Sequence, residues 1–496
     1  MPTNNRRNKK TKTSPEYIDS LRKLNLEIYL LGERVDNPVD HPIIRPSINC
    51  VAMTYKLAED PALADLMTTT SSLTGKRINR FTSLHQGVDD LIRKVKMQRL
   101  LGQKTGSCFQ RCVGFDAINT VYSVTYELDD KYGTPYHNRF KDWLAYVQQE
   151  DLVVAGAMTD PKGDRSLSPI EQTDPDQYLH LVERRDDGVV VRGAKAHQSG
   201  MLNSHEMLVM PTRALGKGNE AYALSFAIPT NTQGMVYIYG RQSCDTRKLE
   251  GGNIDVGNYH FGSHEVLTIF DNVFVPNERV FMCGENDFAV TLVERFAGYH
   301  RQSYGGCKAG VGDVLIGAAA TIAEYNGVAK AAHIREKIAE MVHLNETLYS
   351  CGIACSAEGF RRAAGNYEMD MQLANVCKHN VTRFPYELTR LAEDIAGGLL
   401  VTLPSEKDLH HPKAGKYIDK YLRGVADVPT EHRIRMLRLI ENMTFGTSGI
   451  VFRTESMHGA GSPQSQKIMI LRLTDLDFKK RLARELAGID DYQPAL

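Results

Sequence analysis

The stretch QKTGSCFQRCVG, residues 103–114, sets Cys108 and Cys112 four positions apart in a chain of 496 residues that contains nine cysteines. That spacing puts two sulfurs on one face of a helix or across a tight turn. A second concentration of reactive side chains lies in GYHRQSYGGCKAG, residues 298–310. On a helix, His300, Tyr304 and Cys307 fall on one stripe, because seven residues make close to two turns, and Lys308 sits at its edge. Three thiols and an imidazole form a four-ligand set for which zinc and an iron–sulfur cluster compete. Zinc Cys3His sites are usually built within one compact module. These two groups lie on opposite sides of a β-rich region, which suits a site at a domain interface. The Gly305–Gly306 pair costs a helix about 1 kcal/mol per residue relative to alanine, so a close approach is expected there, and a bulky inorganic cluster would supply it. The chain has another CxxxC, Cys351 and Cys355 in CGIAC, inside an apolar helical run where buried, inert thiols are the expectation. Cys50, Cys244, Cys283 and Cys377 read the same way.

The elements that must position these groups change period twice along the chain. Ser14-Pro15-Glu16 has the hydroxyl, first-turn proline and early acid of a helix start. Residues 15–146 are mostly helical in their apolar spacing, as in SLHQGVDDLIRKVKMQRLLG and NRFKDWLAYVQQEDL. Residues 147–285 hold short β-rich runs, among them GVVVRG, HEMLVM, YALSFAI, MVYIYG and EVLTIFDNVFV, with Asp187-Gly188 as a hairpin turn. Residues 286–496 return to long helical stretches that suit a bundle. The expected class is α+β, in the order N-terminal helical domain, central β domain, C-terminal helical bundle. Residues 1–14, MPTNNRRNKKTKTS, are basic and almost without apolar side chains, the composition of a disordered tail.

Length exceeds what one hydrophobic core supports, so two or three domains are expected. Lys plus Arg and Asp plus Glu each total 60, and the pI is 7.2, which leaves no global field to attract nucleic acid or an anionic membrane. A small-molecule substrate is the expected partner. An odd number of cysteines without a leader pattern points to a reducing, cytoplasmic setting. No run of about 18 apolar residues occurs, so no membrane span is expected.

Further signals suit a large organic cofactor. AMTDPKGDRS, residues 157–166, follows an apolar run and offers backbone donors with Thr159 and Arg165, while RGAKAHQSG, residues 192–200, follows a strand. DIAGGL, residues 394–399, sets two glycines in a helical context, where close helix packing is the plain explanation. No G-x-G-x-x-G follows a first strand, which argues against a Rossmann site.

The segments EYIDSLRKLN, NPVDHPIIRPSIN, GQKTGSCFQRCVG, AMTDPKGDRS, RGAKAHQSG, AGYHRQSYGGCK, NVTRFPYE, LAEDIAGGL and RTESMHGAGSP span nearly the whole chain. Together they resemble the 4-hydroxybutyryl-CoA dehydratases, also called vinylacetyl-CoA isomerases. These sit within a wider family that includes the flavin-dependent 4-hydroxyphenylacetate 3-monooxygenases. The resemblance implies an acyl-CoA dehydrogenase-like fold with a central β-barrel, bound FAD, a 4Fe-4S cluster and a homotetramer with sites between subunits. It implies Cys108, Cys112, His300 and Cys307 as cluster ligands and His300, Glu455, Tyr304, Lys308 and Glu265 as catalytic groups. Flavin contacts carry over onto Met158, Thr159, Asp160, Asp164, Arg165 and Ser166, onto Lys195, Ala196, His197 and Gln198, and onto Ala396, Gly397 and Gly398.

The implied reactions are loss of water from 4-hydroxybutyryl-CoA to give crotonyl-CoA and isomerisation of vinylacetyl-CoA to crotonyl-CoA. The thioester acidifies the α-hydrogen but not the β-hydrogen, while the hydroxyl leaves from the γ-carbon. Acid–base help of about 10²- to 10⁴-fold does not close that gap. The resemblance therefore implies a flavin-radical route with the cluster as Lewis acid. A flavin-dependent aromatic monooxygenase of the same fold is the alternative, and a zinc-stabilised helical scaffold is a more distant one. Cys108→Ser, Cys112→Ser or Cys307→Ser is expected to lower iron content and abolish dehydration, since a hydroxyl replaces thiolate poorly on iron. Cys351→Ser and Cys355→Ser are expected to do neither, as iron analysis of the five variants will tell.

Overall fold

The structure is a computed structural model that describes residues 11–489. Residues 1–10 of the basic tail lie outside it. Lys12, further along the same tail, donates its backbone N–H to the Asp151 carboxylate at 2.7 Å. The first helix is Ser14–Leu21, and Thr13 caps it in a reciprocal capping box with Glu16. Four longer helices, Arg45–Glu59, Val88–Thr105, Cys112–Tyr132 and Tyr136–Glu150, and the short Ala64–Met67 build the rest of the N-terminal region.

Two open sheets follow. The six-stranded sheet runs Glu33–Arg34, Glu27–Leu30, Met235–Tyr239, Glu265–Pro276, Gly188–Ser199, His180–Arg184. The four-stranded sheet runs Val280–Cys283, Leu224–Pro229, Glu206–Val209, Val154–Ala157. The closed barrel expected from the resemblance is not formed. Each sheet keeps two edge strands, because among the described residues no hydrogen-bonded pairing joins the ends of its strand order. Strand Glu27–Leu30 pairs in parallel with Met235–Tyr239, so the N-terminal region contributes a strand to the central sheet. That segment, EIYL, is too short for its period to distinguish it within a helical region. The turn at Asp187-Gly188 closes the antiparallel pair of His180–Arg184 with Gly188–Ser199.

The bundle is organised on one helix, Ala289–Tyr325, which carries His300, Tyr304, Cys307 and Lys308. It packs against Val88–Thr105, Ala332–Ala357, Met371–Val381, Phe384–Ala396 and Thr430–Thr444. The 286–325 stretch is long and apolar enough to cross a membrane, but it is largely buried in the protein and carries buried Arg295, Arg301 and Lys308, as the core helix of a bundle does.

The reason for Gly305 and Gly306 differs from the expected one. A β-carbon on Gly305 would press on the Gly352 backbone and the Cys377 sulfur, and one on Gly306 would overlap the Val95 carbonyl. Helix–helix packing, not a cluster, requires them. Gly310 likewise faces the Arg99 carbonyl, and a β-carbon on Gly102 would lie 2.7 Å from the Cys307 carbonyl. Gly310→Ala is therefore expected to destabilise by about 1–3 kcal/mol through overpacking. Gly317→Ala, on the same helix with open space around it, is expected to be neutral or to stabilise by up to about 1 kcal/mol. Denaturant midpoints of the two variants check both.

Candidate functional site

Helix Val88–Thr105 stops at Gly106, whose left-handed conformation ends it, and the next helix begins at Cys112. Cys108 therefore sits in the connecting loop, and the two cysteines face each other across a turn rather than along one helix. Gln110, between them, adopts φ 57, a costly backbone for a non-glycine residue. Its side chain holds it there: Nε2 donates to the His264 carbonyl at 2.7 Å, and Oε1 accepts from Asn203 Nδ2 at 3.0 Å. Arg111 fills the space behind, with its guanidinium over the Tyr55 and Phe81 rings. Cys112 occupies the first turn of its helix, where the positive end of the helix dipole favours a thiolate.

Cys108, Cys112, His300, Tyr304, Cys307, Lys308 and Glu455 line one cavity enclosing about 400 Å³ of atom-free space. All four expected ligands are thus brought together, from a loop, a helix start and the central helix. Burial pushes the Cys307 thiol up to about 12 despite the Lys308 ammonium. The bond from Cys108, then burial, push the Cys112 thiol up as well. Such crowded thiols are what a metal inverts, since coordination deprotonates them outright. Among the described residues no three His, Cys, Asp or Glu side chains converge tightly enough for a single ion. Three thiols and an imidazole are soft and borderline donors of the kind that bind iron–sulfur clusters as well as zinc. The donor set fits an iron–sulfur cluster.

The remaining groups form an acid–base layer beside the thiols. Lys308 donates to Glu455 at 3.1 Å and to the Val451 carbonyl at 2.9 Å. Burial alone would lower Lys308, but Glu455 and the thiols outweigh it and keep the ammonium charged. Glu455 closes a π-helical turn, Ile450–Glu455, a local distortion frequent at functional sites. Glu265 starts the strand Glu265–Pro276 and accepts from Ser199 Oγ at 2.6 Å. Burial, then the Glu455 charge, push its carboxyl well above the usual range. Tyr304 is buried against His300 with ring centroids 5.0 Å apart, and its hydroxyl has no hydrogen-bond partner among the described residues.

The flavin segments divide. Thr159 accepts the Ala196 N–H at 2.8 Å, joining residues 158–160 to 195–198. His197 has φ 57 and sits in a one-residue bulge opposite Val266 and Thr268, where the strand is re-aimed. Lys195 is committed to Asp160, Met158 and Met210 as acceptors, and so holds the turn together. Gln198 bonds the Ala196 and Thr159 carbonyls. Asp164, Arg165 and Ser166 are exposed. Ala396–Gly398 lies at the end of helix Phe384–Ala396, and its backbone bonds stay within its own segment. Gly397 and Gly398 face open space, so close helix packing does not explain them.

Sequence reasoning missed three charged residues here: Asp116, Lys94 and Lys378. Asp116 lies one turn beyond Cys112, a spacing that carried the signal. Lys94 and Lys378 sit on buried helix faces where no local pattern distinguishes them. Lys378 is fully buried, with its ammonium 4.5 Å from the Tyr304 ring centre and bonded to the Ser456 carbonyl.

A helical region, two open sheets and a bundle, with a thiol–imidazole pocket lined from both helical parts, define an α+β enzyme scaffold with a soft-donor centre. The N-terminal part of the 4-hydroxyphenylacetate 3-hydroxylase family matches residues 13–282, and its C-terminal part matches residues 289–488. The chain belongs to that family. It is 62% identical over 486 residues, 96% of this chain and 99% of the relative, to 4-hydroxybutyryl-CoA dehydratase/vinylacetyl-CoA-Delta-isomerase of Clostridium aminobutyricum. It superposes with TM-score 0.95 and 56% identity on an oxygen-tolerant archaeal 4-hydroxybutyryl-CoA dehydratase from N. maritimus, covering 98% of this chain and 97% of that one. The oxygenase component of 4-hydroxyphenylacetate 3-monooxygenase complexed with FAD aligns at TM-score 0.82 and 26% identity, covering 96% of this chain and 98% of that one.

Burial, then repulsion from Lys308, bring Lys378 down to about 7 from its ordinary 10.5. Between those values the unfolded chain binds the extra proton, so this group's contribution to stability rises with pH and is lost as pH falls through 7. Wild type is expected to gain stability relative to Lys378→Met by up to about 1.4 kcal/mol per pH unit as pH rises above neutrality. Denaturant unfolding at pH 7.5 and 9 measures it, and a pH-independent difference would contradict the buried-lysine assignment.

Proposed function

We propose that this chain dehydrates 4-hydroxybutyryl-CoA to crotonyl-CoA and isomerises vinylacetyl-CoA to crotonyl-CoA. It holds FAD and a 4Fe-4S cluster, the latter on Cys108, Cys112, His300 and Cys307. One observation carries this reading: those four donors line the same cavity as Tyr304, Lys308 and Glu455. The 62% identity to a relative of that name supports the substrate. A flavin monooxygenase has no need of such a donor set.

When bound, FAD supplies one-electron chemistry and the cluster supplies Lewis acidity. The chain's own groups do the rest. Lys308 orients Glu455 by a direct ion pair, which places Glu455 as a base for the thioester-acidified proton. His300 Nε2 is the alternative base. Glu265, held neutral by burial and the Glu455 charge, donates a hydrogen bond to the substrate hydroxyl. The unpaired Tyr304 hydroxyl is free to donate to the departing oxygen. The buried walls exclude water from these contacts.

Flavin binding is assigned to residues 158–166, the bulge at 195–198 and the open turn at 396–398. The acyl-CoA dehydrogenase-like arrangement, domains at 15–146, 147–285 and 286–496, and a cytoplasmic homotetramer complete the proposal. Supporting the tetramer, Leu471, Leu482 and Leu486 stand exposed on the last helices.

Anaerobically purified protein is expected to contain iron and sulfide and to show flavin and cluster absorption. Isomerisation expels no hydroxide and so leans less on Lewis acidity than dehydration does. During timed air exposure, dehydratase activity is expected to fall before isomerase activity. Parallel loss with FAD retained would remove the cluster's special role in hydroxide departure.

A further inference from the structure

Behind His300 lies a charged group that none of the roles above uses. Asp116 and Lys94 are both fully buried, on helices Cys112–Tyr132 and Val88–Thr105. Lys94 Nζ contacts Asp116 Oδ1 at 2.5 Å and donates to the Tyr299 carbonyl and to Gln302 Oε1, each at 3.0 Å. All three of its N–H donors are therefore spent. Asp116 Oδ2 in turn meets His300 Nδ1 at 2.8 Å and accepts from Ser303 Oγ at 3.0 Å. Ser303 is itself held by Gln98 Nε2 at 3.0 Å. Three helices fix this network, in which the Gln98 Oε1 atom has no partner among the described residues.

The 2.5 Å contact between Asp116 Oδ1 and the Lys94 ammonium is that of a carboxylate in an ion pair. An ionised carboxylate only accepts hydrogen bonds. The hydrogen of His300 must therefore sit on Nδ1, which leaves Nε2 bare on the opposite side of a ring that lines the thiol cavity. A carboxylate on the far nitrogen of a metal-binding histidine fixes its tautomer and raises its donor strength.

We propose that Asp116, paired with Lys94 through one oxygen and with the imidazole through the other, is a positioning residue for His300: it fixes the Nδ1–H tautomer and presents Nε2 as the donor to the cluster. This rests on the reading of His300 as a cluster ligand. A purely structural ion pair would tie the helices together equally well without reaching the imidazole. Here one carboxylate oxygen faces the lysine and the other faces the ring.

The test uses holoenzyme containing histidine labelled with ¹⁵N at one ring position only, with pulsed EPR of the reduced cluster as readout. Strong coupling is expected from the Nε2 label and weak coupling from the Nδ1 label. The reverse pattern overturns the proposal without any variant. Lys94→Met combined with Asp116→Asn removes both charges together, so neither is left buried and unpaired. This double variant is expected to retain wild-type iron and sulfide on three thiolates. Its Nε2 coupling should be lost or split into two populations, and its iron should pass to a chelator at least tenfold faster. Unchanged coupling and chelation rate in a folded double variant would reduce Lys94 and Asp116 to a structural pair. Absence of iron and sulfide from the wild type would instead overturn the cluster reading, and the proposal with it.

Discussion

Helices Val88–Thr105 and Ala289–Tyr325 approach so closely that a β-carbon at Gly102 would reach the Cys307 carbonyl, and one at Gly310 would overlap the Arg99 carbonyl. Glycine is the residue type that allows the contact. Everything at the pocket follows from it. Cys108 lies just past the end of one helix and Cys307 lies on the other, so their separation is set by how near the two backbones run. Because both helices are buried and close-packed, the pocket has little room to relax, and small changes in packing propagate directly to the donors.

Buried charge is the second organising element. Lys94 with Asp116 is a fully buried ion pair, and buried Lys308 pairs with a partly exposed Glu455 at the pocket that holds His300, Tyr304 and Cys307. Such pairs are weak contributors to stability, because desolvation offsets most of the attraction. Their presence in the interior points to control of protonation and orientation. Glu265 and Lys378 show the other outcome. Their neighbours carry like charge, and burial moves each toward its neutral form.

The two candidate cofactor regions differ in how finished they are within one chain. The thiol–imidazole pocket draws its donors from the first helical region and the bundle, and its supporting bonds close internally. The segments proposed to meet flavin form a bulged turn in the six-stranded sheet and a separate open glycine turn on the bundle. Lys195 and Asp160 are spent on stabilising the first, so its backbone and exposed side chains remain to meet a ligand.

Much of this was legible in the residues themselves. The 3.6-residue period of GYHRQSYGGCKAG fixed the stripe of His300, Tyr304 and Cys307, because a helix places i, i+4 and i+7 together wherever it is packed. The α, β, α order followed from the same local periodicities, and the hairpin at Asp187-Gly188 from turn chemistry. The role of Gly305 and Gly306 did not. A glycine pair signals close approach without saying what approaches, and Gly352 and Val95 lie far away in the chain. Strand Glu27–Leu30, the two open sheets, and the buried partners Lys94, Asp116 and Lys378 were likewise settled by tertiary contacts alone. A four-residue strand, a sheet's closure or an ion pair across three helices depends on distances between segments remote in sequence, and local pattern carries no record of those distances.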